Sequence, residues 1–214
     1  MANDKRTNHI YGSYLNKFEV RDANNRDLKE VYAMVIELAE DLKAKKSESI
    51  NLSEDLFCRD FQNGYFHLLI VEKKPESCSI ERTNNTQNCS YSDLNNTNNQ
   101  HSSIVGYAIY NFGYDSWTGR ILRLVDLYIR ISCRKIGLGT YVMATLSKIS
   151  IDNRCKTFKW QCLDCNSKGL DFYFNKLKAT EEVMEQDGVK YKEVNIEMSE
   201  NEMKDLLAKQ IKIP

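Results

Sequence analysis

VDLYIRISCRKIGLGT occupies residues 125–140. It reads as an apolar strand running into Arg134-x-x-Gly137-x-Gly139, with a helix to follow. The chemistry of such a junction is anion binding. The first turn of a helix carries backbone N–H groups with no intrahelical partner, and the helix dipole favours negative charge there. The glycines allow a tight turn and a close approach by a pyrophosphate, and Arg134 and Lys135 add positive charge. As a bare pattern RxxGxG is moderately specific and is also compatible with a structural glycine turn, so its surroundings decide. No Lys-Ser/Thr pair follows the glycines, which argues against a P-loop, and no GxGxxG opens an early βαβ unit, which argues against a dinucleotide fold.

Upstream of this segment, residues 20–22 read as a short strand end. Leu28, Val31, Tyr32, Val35, Leu38, Ala39 and Leu42 then recur at helical spacing. Ser53 is a good N-cap for a second helix carrying Leu56, Phe57 and Phe61. HLLIV, residues 67–71, is a buried strand by pattern, and residues 104–111 and 121–131 are two more. Downstream, the glycine turn opens a helix to about Asn153. A strand over 158–163, a short helix over 167–176 and an alternating strand over 191–196 follow. Ser199 and Glu202 form a capping box that starts a last helix through Leu207. The order is that of an α/β fold with one central sheet.

The chain has 214 residues, which fits one domain over residues 18–209 with short tails at 1–17 and 210–214. Residues 75–103 are dominated by Asn, Ser and Thr. Such a stretch cannot bury enough apolar surface to offset its ordering entropy, so it reads as a disordered insertion between two strands. A formal net charge of +0 argues against nucleic-acid partners, whose phosphates reward a basic excess. The first residues lack an apolar signal core and no run is long enough to span a bilayer, so the expectation is a cytoplasmic protein with no membrane partner. Cys162 and Cys165 form a CxxC, but no second pair completes a zinc ribbon, and this one ends a strand instead of opening a helix. No metal site is expected.

The segment resembles the coenzyme A pyrophosphate loop of the GNAT acetyltransferases, whose pattern is Arg/Gln-x-x-Gly-x-Gly/Ala after the fourth strand. Ile104-Val105-Gly106-Tyr107-Ala108 is similar to the third strand of the diamine (spermidine/spermine) acetyltransferases and their thialysine-acetylating relatives. Tyr114-Asp115-Ser116-Trp117-Thr118-Gly119 resembles their YDPWxG segment, and Asn166 with Phe172-Tyr173 resembles their Asn and FY pair. The resemblance implies a GNAT acyltransferase fold, a mixed central sheet with helices on both faces, interrupted here by the Asn-rich loop. It implies acetyl-CoA as cosubstrate and direct transfer of the acetyl group to an amine.

By the same resemblance the backbone of Leu127, Tyr128 and Ile129 pairs with the pantetheine arm. Arg134, Lys135, Ile136, Gly137, Leu138, Gly139 and Thr140 hold the pyrophosphate, and Asn166, Ser167, Lys168 and Gly169 meet the distal part of the cofactor. Tyr173 is the general acid; without the resemblance it reads as a core tyrosine on an amphipathic helix. Asp41, Asp115, Trp117 and Val125 fall at substrate positions. The family commonly forms homodimers through its C-terminal strands, here residues 191–196.

The chain departs from the pattern at three places. Val125 stands where the diamine acetyltransferases carry a glutamate base, and valine cannot accept a proton. Asp126 is adjacent, but strand alternation puts neighbouring residues on opposite faces, leaving it a candidate for structure or for proton relay through water. Glu37, Glu40 and Asp41 are followed by Lys43, Lys45 and Lys46, which reads either as a solvated helix face or as an amine site that repels polycations. The glycine that usually follows the FY helix is absent. Three readings stay open: a small-molecule amine acetyltransferase acting on a diamine, polyamine or thialysine-like amino acid; a catalytically weakened acetyl-CoA-binding module; and a protein or peptide N-acetyltransferase.

Overall fold

The structure, a computed structural model, describes residues 16–42, 51–74, 103–182 and 193–211. The expectations for the two terminal tails fall almost wholly outside these residues, as do those for Lys43, Lys45 and Lys46, for nearly all of the Asn-rich insertion, and for residues 191–192 of the last strand.

The elements run β1 (Phe18–Asp22), α1 (Leu28–Asp41), α2 (Glu54–Gln62), β2 (His67–Lys73), β3 (Ile104–Asp115), β4 (Gly119–Ile129), α3 (Leu138–Asp152), β5 (Thr157–Leu163), α4 (Ser167–Leu170), β6 (Thr180–Glu182), β7 (Glu193–Ser199) and α5 (Glu200–Ile211). The strands form a seven-stranded sheet in the order β1-β2-β3-β4-β5-β7-β6. Every neighbouring pair is antiparallel except β4 and β5, which are parallel.

Two apolar cores lie on opposite faces of this sheet. On one, Leu28, Val31 and Met34 of α1 and Phe57 of α2 pack on Leu68, Ile70, Tyr107, Ile109 and Tyr128. On the other, Val142, Met143 and Leu146 of α3 and Met203 and Leu206 of α5 cover Leu69, Leu122, Leu124, Phe158, Trp160 and Ile196. This explains the unbroken apolar runs of β2 and β3. A strand covered on both faces has no solvent side and loses the alternation of a half-exposed strand.

The expected caps are present. Ser53 Oγ accepts the Leu56 N–H at 3.2 Å, and Glu202 Oε2 accepts the Ser199 N–H at 2.6 Å. The strand read over 121–131 ends at Ile129, because Ile131–Cys133 close into a 3-10 turn. The short helix read over 167–176 is one α-turn, Ser167–Leu170, continued by a single π-helical turn, Asp171–Lys176. The three-residue β6 has no apolar alternation to announce it. β7 is paired along its length with β5 and, at Asn195, Ile196 and Glu197, with β6 on its other edge.

Gly106 is fixed by the close approach of β3 to β4. A Cβ there would meet the Tyr128 carbonyl oxygen at 2.6 Å and collide with the Ile129 side chain. Gly106→Ala is therefore expected to destabilise the protein by about 1–3 kcal/mol, the usual cost of overpacking. Denaturant titration would measure this.

Candidate active site

β4 carries a bulge where the resemblance places its catalytic residues. Its register with β3 steps between Ile109, opposite Asp126, and Tyr110, opposite Leu124, so Val125 has no opposite number. Before the step Leu122 and Leu124 face the α3 core. After it Ile129 faces that core, while Tyr128 faces α1. The register puts Asp126, opposite Ile109, on the α1 face with Tyr128. Strict alternation fails across a bulge, and both residues line one cavity.

The cavity exists because β4 and β5 part. Their parallel ladder is limited to Ile121–Thr157, Leu122–Phe158 and Arg123–Lys159. Beyond it the strands diverge around a space of about 280 Å³, walled by residues 124–127 of β4 and 160–163 of β5. Leu38 and Leu42 close one side, and Asn166 and Tyr173 another. Past Arg123, the β5-facing edge of β4 has no ladder partner among the described residues, which leaves main-chain groups able to pair with an extended ligand. None of Trp160, Gln161, Cys162, Leu163, Leu38 and Leu42 was read from the sequence as a site residue. The pairing of β5 with β4 brings in the first four and the packing of α1 on the sheet the other two, and no local pattern encodes either.

At the end of β4 the chain turns through Lys135, a non-glycine at φ 66°, and Gly137 at φ 98°, and α3 begins at Leu138. Leu138 is buried, so its side chain belongs to the core and only its backbone can serve a ligand. Gly139 lies so close to Phe172 that a Cβ would stand 3.2 Å from the ring. Thr140 Oγ1, in the first turn of α3, is buried with no hydrogen-bond partner among the described residues. Ile136 packs against the core.

The arginines here are held by α1. Arg134 Nε donates to the Ile129 carbonyl at 2.7 Å, and Nη2 donates to Asp41 Oδ2 at 2.7 Å. Its guanidinium sits 5.3 Å from the centre of the Tyr128 ring. Arg130 Nη2 donates to Glu37 at 2.8 Å and to Glu30 at 2.5 Å, and the Tyr128 hydroxyl donates to Glu37 at 3.2 Å. Glu37 and Asp41 thus anchor α1 to the loop, which a reading of their charges alone did not reveal.

Asn166 caps α4: its Oδ1 accepts the Gly169 N–H at 3.0 Å, so Ser167, Lys168 and Gly169 form one tight turn beside the cavity. At the β3–β4 hairpin, Asp115 Oδ1 accepts the Trp117 N–H at 2.8 Å and the Thr118 N–H at 3.0 Å. These backbone bonds lower its pKa. Trp117 is 95% exposed. Neither residue belongs to the cavity lining.

Tyr173 sits on the π-turn, its ring 5.3 Å from that of Trp160 and 5.2 Å from that of Phe172. Lys178, at φ 62°, takes the left-handed position beyond this turn, and the Ala179 N–H closes back on the Tyr173 carbonyl at 3.1 Å. A lysine therefore does there what a glycine would do more easily. Burial, reinforced by Cys162 and Asp126, raises the Tyr173 phenol well above its ordinary range, so it is protonated at neutral pH. Burial also raises Asp126. Cys162, pushed up to about 11 chiefly by burial, stays a thiol and is a poor nucleophile. Among the described residues no cluster of metal-ligating side chains occurs, and no helix is long and apolar enough to cross a membrane.

A parted pair of strands with a carboxyl group and a protonated phenol lining the gap, and a glycine turn opening α3 soon after β4, form an arrangement suited to acyl transfer from an extended, anionic donor. The comparisons agree. The family model described as acetyltransferase (GNAT) family matches residues 54–201. Thialysine N-epsilon-acetyltransferase of Sus scrofa is 30% identical over 156 residues, 72% of this chain and 79% of that protein. The Mus musculus enzyme of the same name is 28% identical over 171 residues, 79% of this chain and 87% of its own length. The fold is similar to that of the Salmonella typhimurium acetyltransferase yncA, solved with its cofactor acetyl-CoA. The TM-score is 0.58 and the identity 13%, over 86% of this chain and 95% of the other.

Proposed function

The chain belongs to the acetyltransferase (GNAT) family and is an acetyl-CoA-dependent N-acetyltransferase, and we propose that its acceptor is a primary amine of a small molecule: a diamine, a polyamine or a thialysine-like amino acid. The observation that carries this reading is the parting of β4 and β5 with Asp126 and Tyr173 both lining the gap. The names of the relatives support the substrate class.

The residues present fit acetyl-CoA. Thr140 Oγ1 is a buried orphan in the first turn of α3, and Trp160 Nε1 is another on a residue that lines the gap. The open edge of β4 offers main-chain partners. When bound, acetyl-CoA supplies an acetyl group activated as a thioester. The chain's own contribution is fourfold. The first turn of α3, with Arg134, Lys135, Gly137, Gly139 and Thr140, offers N–H groups and positive charge to the pyrophosphate. The backbone of Leu127, Tyr128 and Ile129 orients the arm and supplies donors where oxyanion charge develops. Asp126 accepts the amine proton. Tyr173 holds a proton at Oη for the sulfur, and its raised pKa keeps that proton in place at neutral pH.

Because burial raises the Asp126 pKa, the base is lost at a higher pH than an exposed carboxylate would be. Activity therefore falls as pH drops through that raised value.

Val125, half-exposed in the bulge, favours a second reading in which the site retains acetyl-CoA but transfers slowly for want of the glutamate. Val125→Glu separates the two. With Asp126 as the base, kcat changes little; a gain of about tenfold or more would favour the weakened module.

The substrate class is tested by thiol release from acetyl-CoA with spermidine, spermine, putrescine, thialysine, lysine and a short basic peptide. Turnover with one of the small amines is expected. Transfer to the peptide alone would make the protein a peptide acetyltransferase, and silence across the panel with acetyl-CoA bound would refute the small-amine assignment. The reading extends to a cytoplasmic homodimer. β6 covers only Asn195, Ile196 and Glu197 of the outer edge of β7, and such a dimer would form at that side of the sheet.

A further inference from the structure

Tyr107 is fully buried, and its hydroxyl has no hydrogen-bond partner among the described residues. A buried phenol without a partner is unusual and calls for a specific reason. Its position supplies one. In the β3–β4 register Tyr107 lies opposite Tyr128, and Ile109 lies opposite Asp126. Residues opposite each other point to the same face, so Tyr107 and Asp126 are diagonal neighbours under α1, about 7–8 Å apart at the backbone and within reach of a long side chain. The bulge at Val125 creates this diagonal, since without it Asp126 would face the α3 core. Tyr107 and Asp126 also sense each other electrostatically.

We propose that Tyr107 is a positioning residue for the reaction: its hydroxyl donates through one bridging water to the Asp126 carboxylate, fixing the orientation of that carboxylate and the pH at which it becomes a base. A water between a buried donor and a partly buried carboxylate is a common solution. The proposal rests on Asp126 being the base. The other titratable groups around the pair are Tyr128 of β4, Glu37 of α1, and Cys162 and Tyr173 across the cavity. Glu37 is already engaged by Arg130 and Tyr128. Among the described residues no cation offsets the burial of Asp126, so a donor from Tyr107 would favour its ionised form.

The sign follows directly. A donor to the carboxylate lowers its pKa, and removing the donor raises it. Tyr107→Phe removes one oxygen and keeps the ring, so the core stays filled. The Asp126 carboxyl is to be titrated by carbon NMR in the acetyl-CoA-free protein, wild type against Tyr107→Phe. The expected result is an upward displacement of about one pH unit, typical for loss of a bond to a charged group. The acid limb of kcat/KM should move by the same amount, with the KM for acetyl-CoA unchanged because Tyr107 is not part of the cavity wall. An Asp126 titration identical in both proteins would overturn the proposal. If the carboxyl titration moves and the acid limb does not, the bond between Tyr107 and Asp126 stands and the assignment of Asp126 as base falls.

Discussion

Tyr173→Phe is expected to lower kcat by about 10²–10⁴-fold, the usual contribution of a positioned acid, with the affinity for acetyl-CoA nearly unchanged. The hydroxyl is the only group removed, and the ring keeps its packing on Trp160 and Phe172. The origin of so large an effect is electrostatic. Burial first, then the neighbouring Cys162 and Asp126, hold the phenol protonated far into the alkaline range. A departing thiolate therefore meets a proton donor at any physiological pH. The basic limb of the wild-type profile should accordingly not reflect Tyr173 near neutrality. Steady-state kinetics with a tight KM comparison would decide: a loss expressed as a raised KM for acetyl-CoA would make Tyr173 a binding residue instead.

Asp126→Asn is expected to act on activity and stability in opposite directions. Removing the base should lower kcat by about 10²–10⁴-fold and abolish the acid limb. Stability should rise at neutral pH. A carboxyl whose pKa is raised by folding binds its proton more tightly in the native state. Its contribution is thus fully present below the unfolded carboxylate value, and is lost as pH rises through the folded value. Once ionised, Asp126 is a partly buried carboxylate with no compensating cation among the described residues, and an amide carries no such charge. A thermal midpoint higher by roughly 2–4 °C, the shift that about 1 kcal/mol produces in a chain of this size, would mark Asp126 as a residue kept for function at a cost in stability. A variant both less stable and fully active would show that Asp126 is structural.

Much of the fold was legible because its signals are local. The apolar stripe of α1, the Ser53 cap, the buried runs of β2 and β3 and the glycine turn before α3 each declare themselves within a dozen residues. The site was legible only in part. Asp126, Leu127, Asn166 and Tyr173 were reached through the resemblance, and all four line the cavity. What stayed hidden depends on pairing between distant strands. The bulge that turns Asp126 towards the α1 face is a property of the β3–β4 register, and nothing in the letters Leu124-Val125-Asp126 announces it. The wall from Trp160 to Leu163 depends on β4 and β5 separating after three paired residues. The binding of Arg134 to Asp41 joins residues 93 positions apart. Charge patterning could suggest that α1 is acidic but not which arginines it holds.

Backbone amide exchange with and without acetyl-CoA addresses the central claim most directly. Acetyl-CoA lying between β4 and β5 should slow exchange at the freed edge of β4, from Leu127 to Ile129, and in the first turn of α3, while the β1–β2 end of the sheet is unaffected. Saturable binding with protection confined to other parts of the chain, or with none at these two segments, would contradict it.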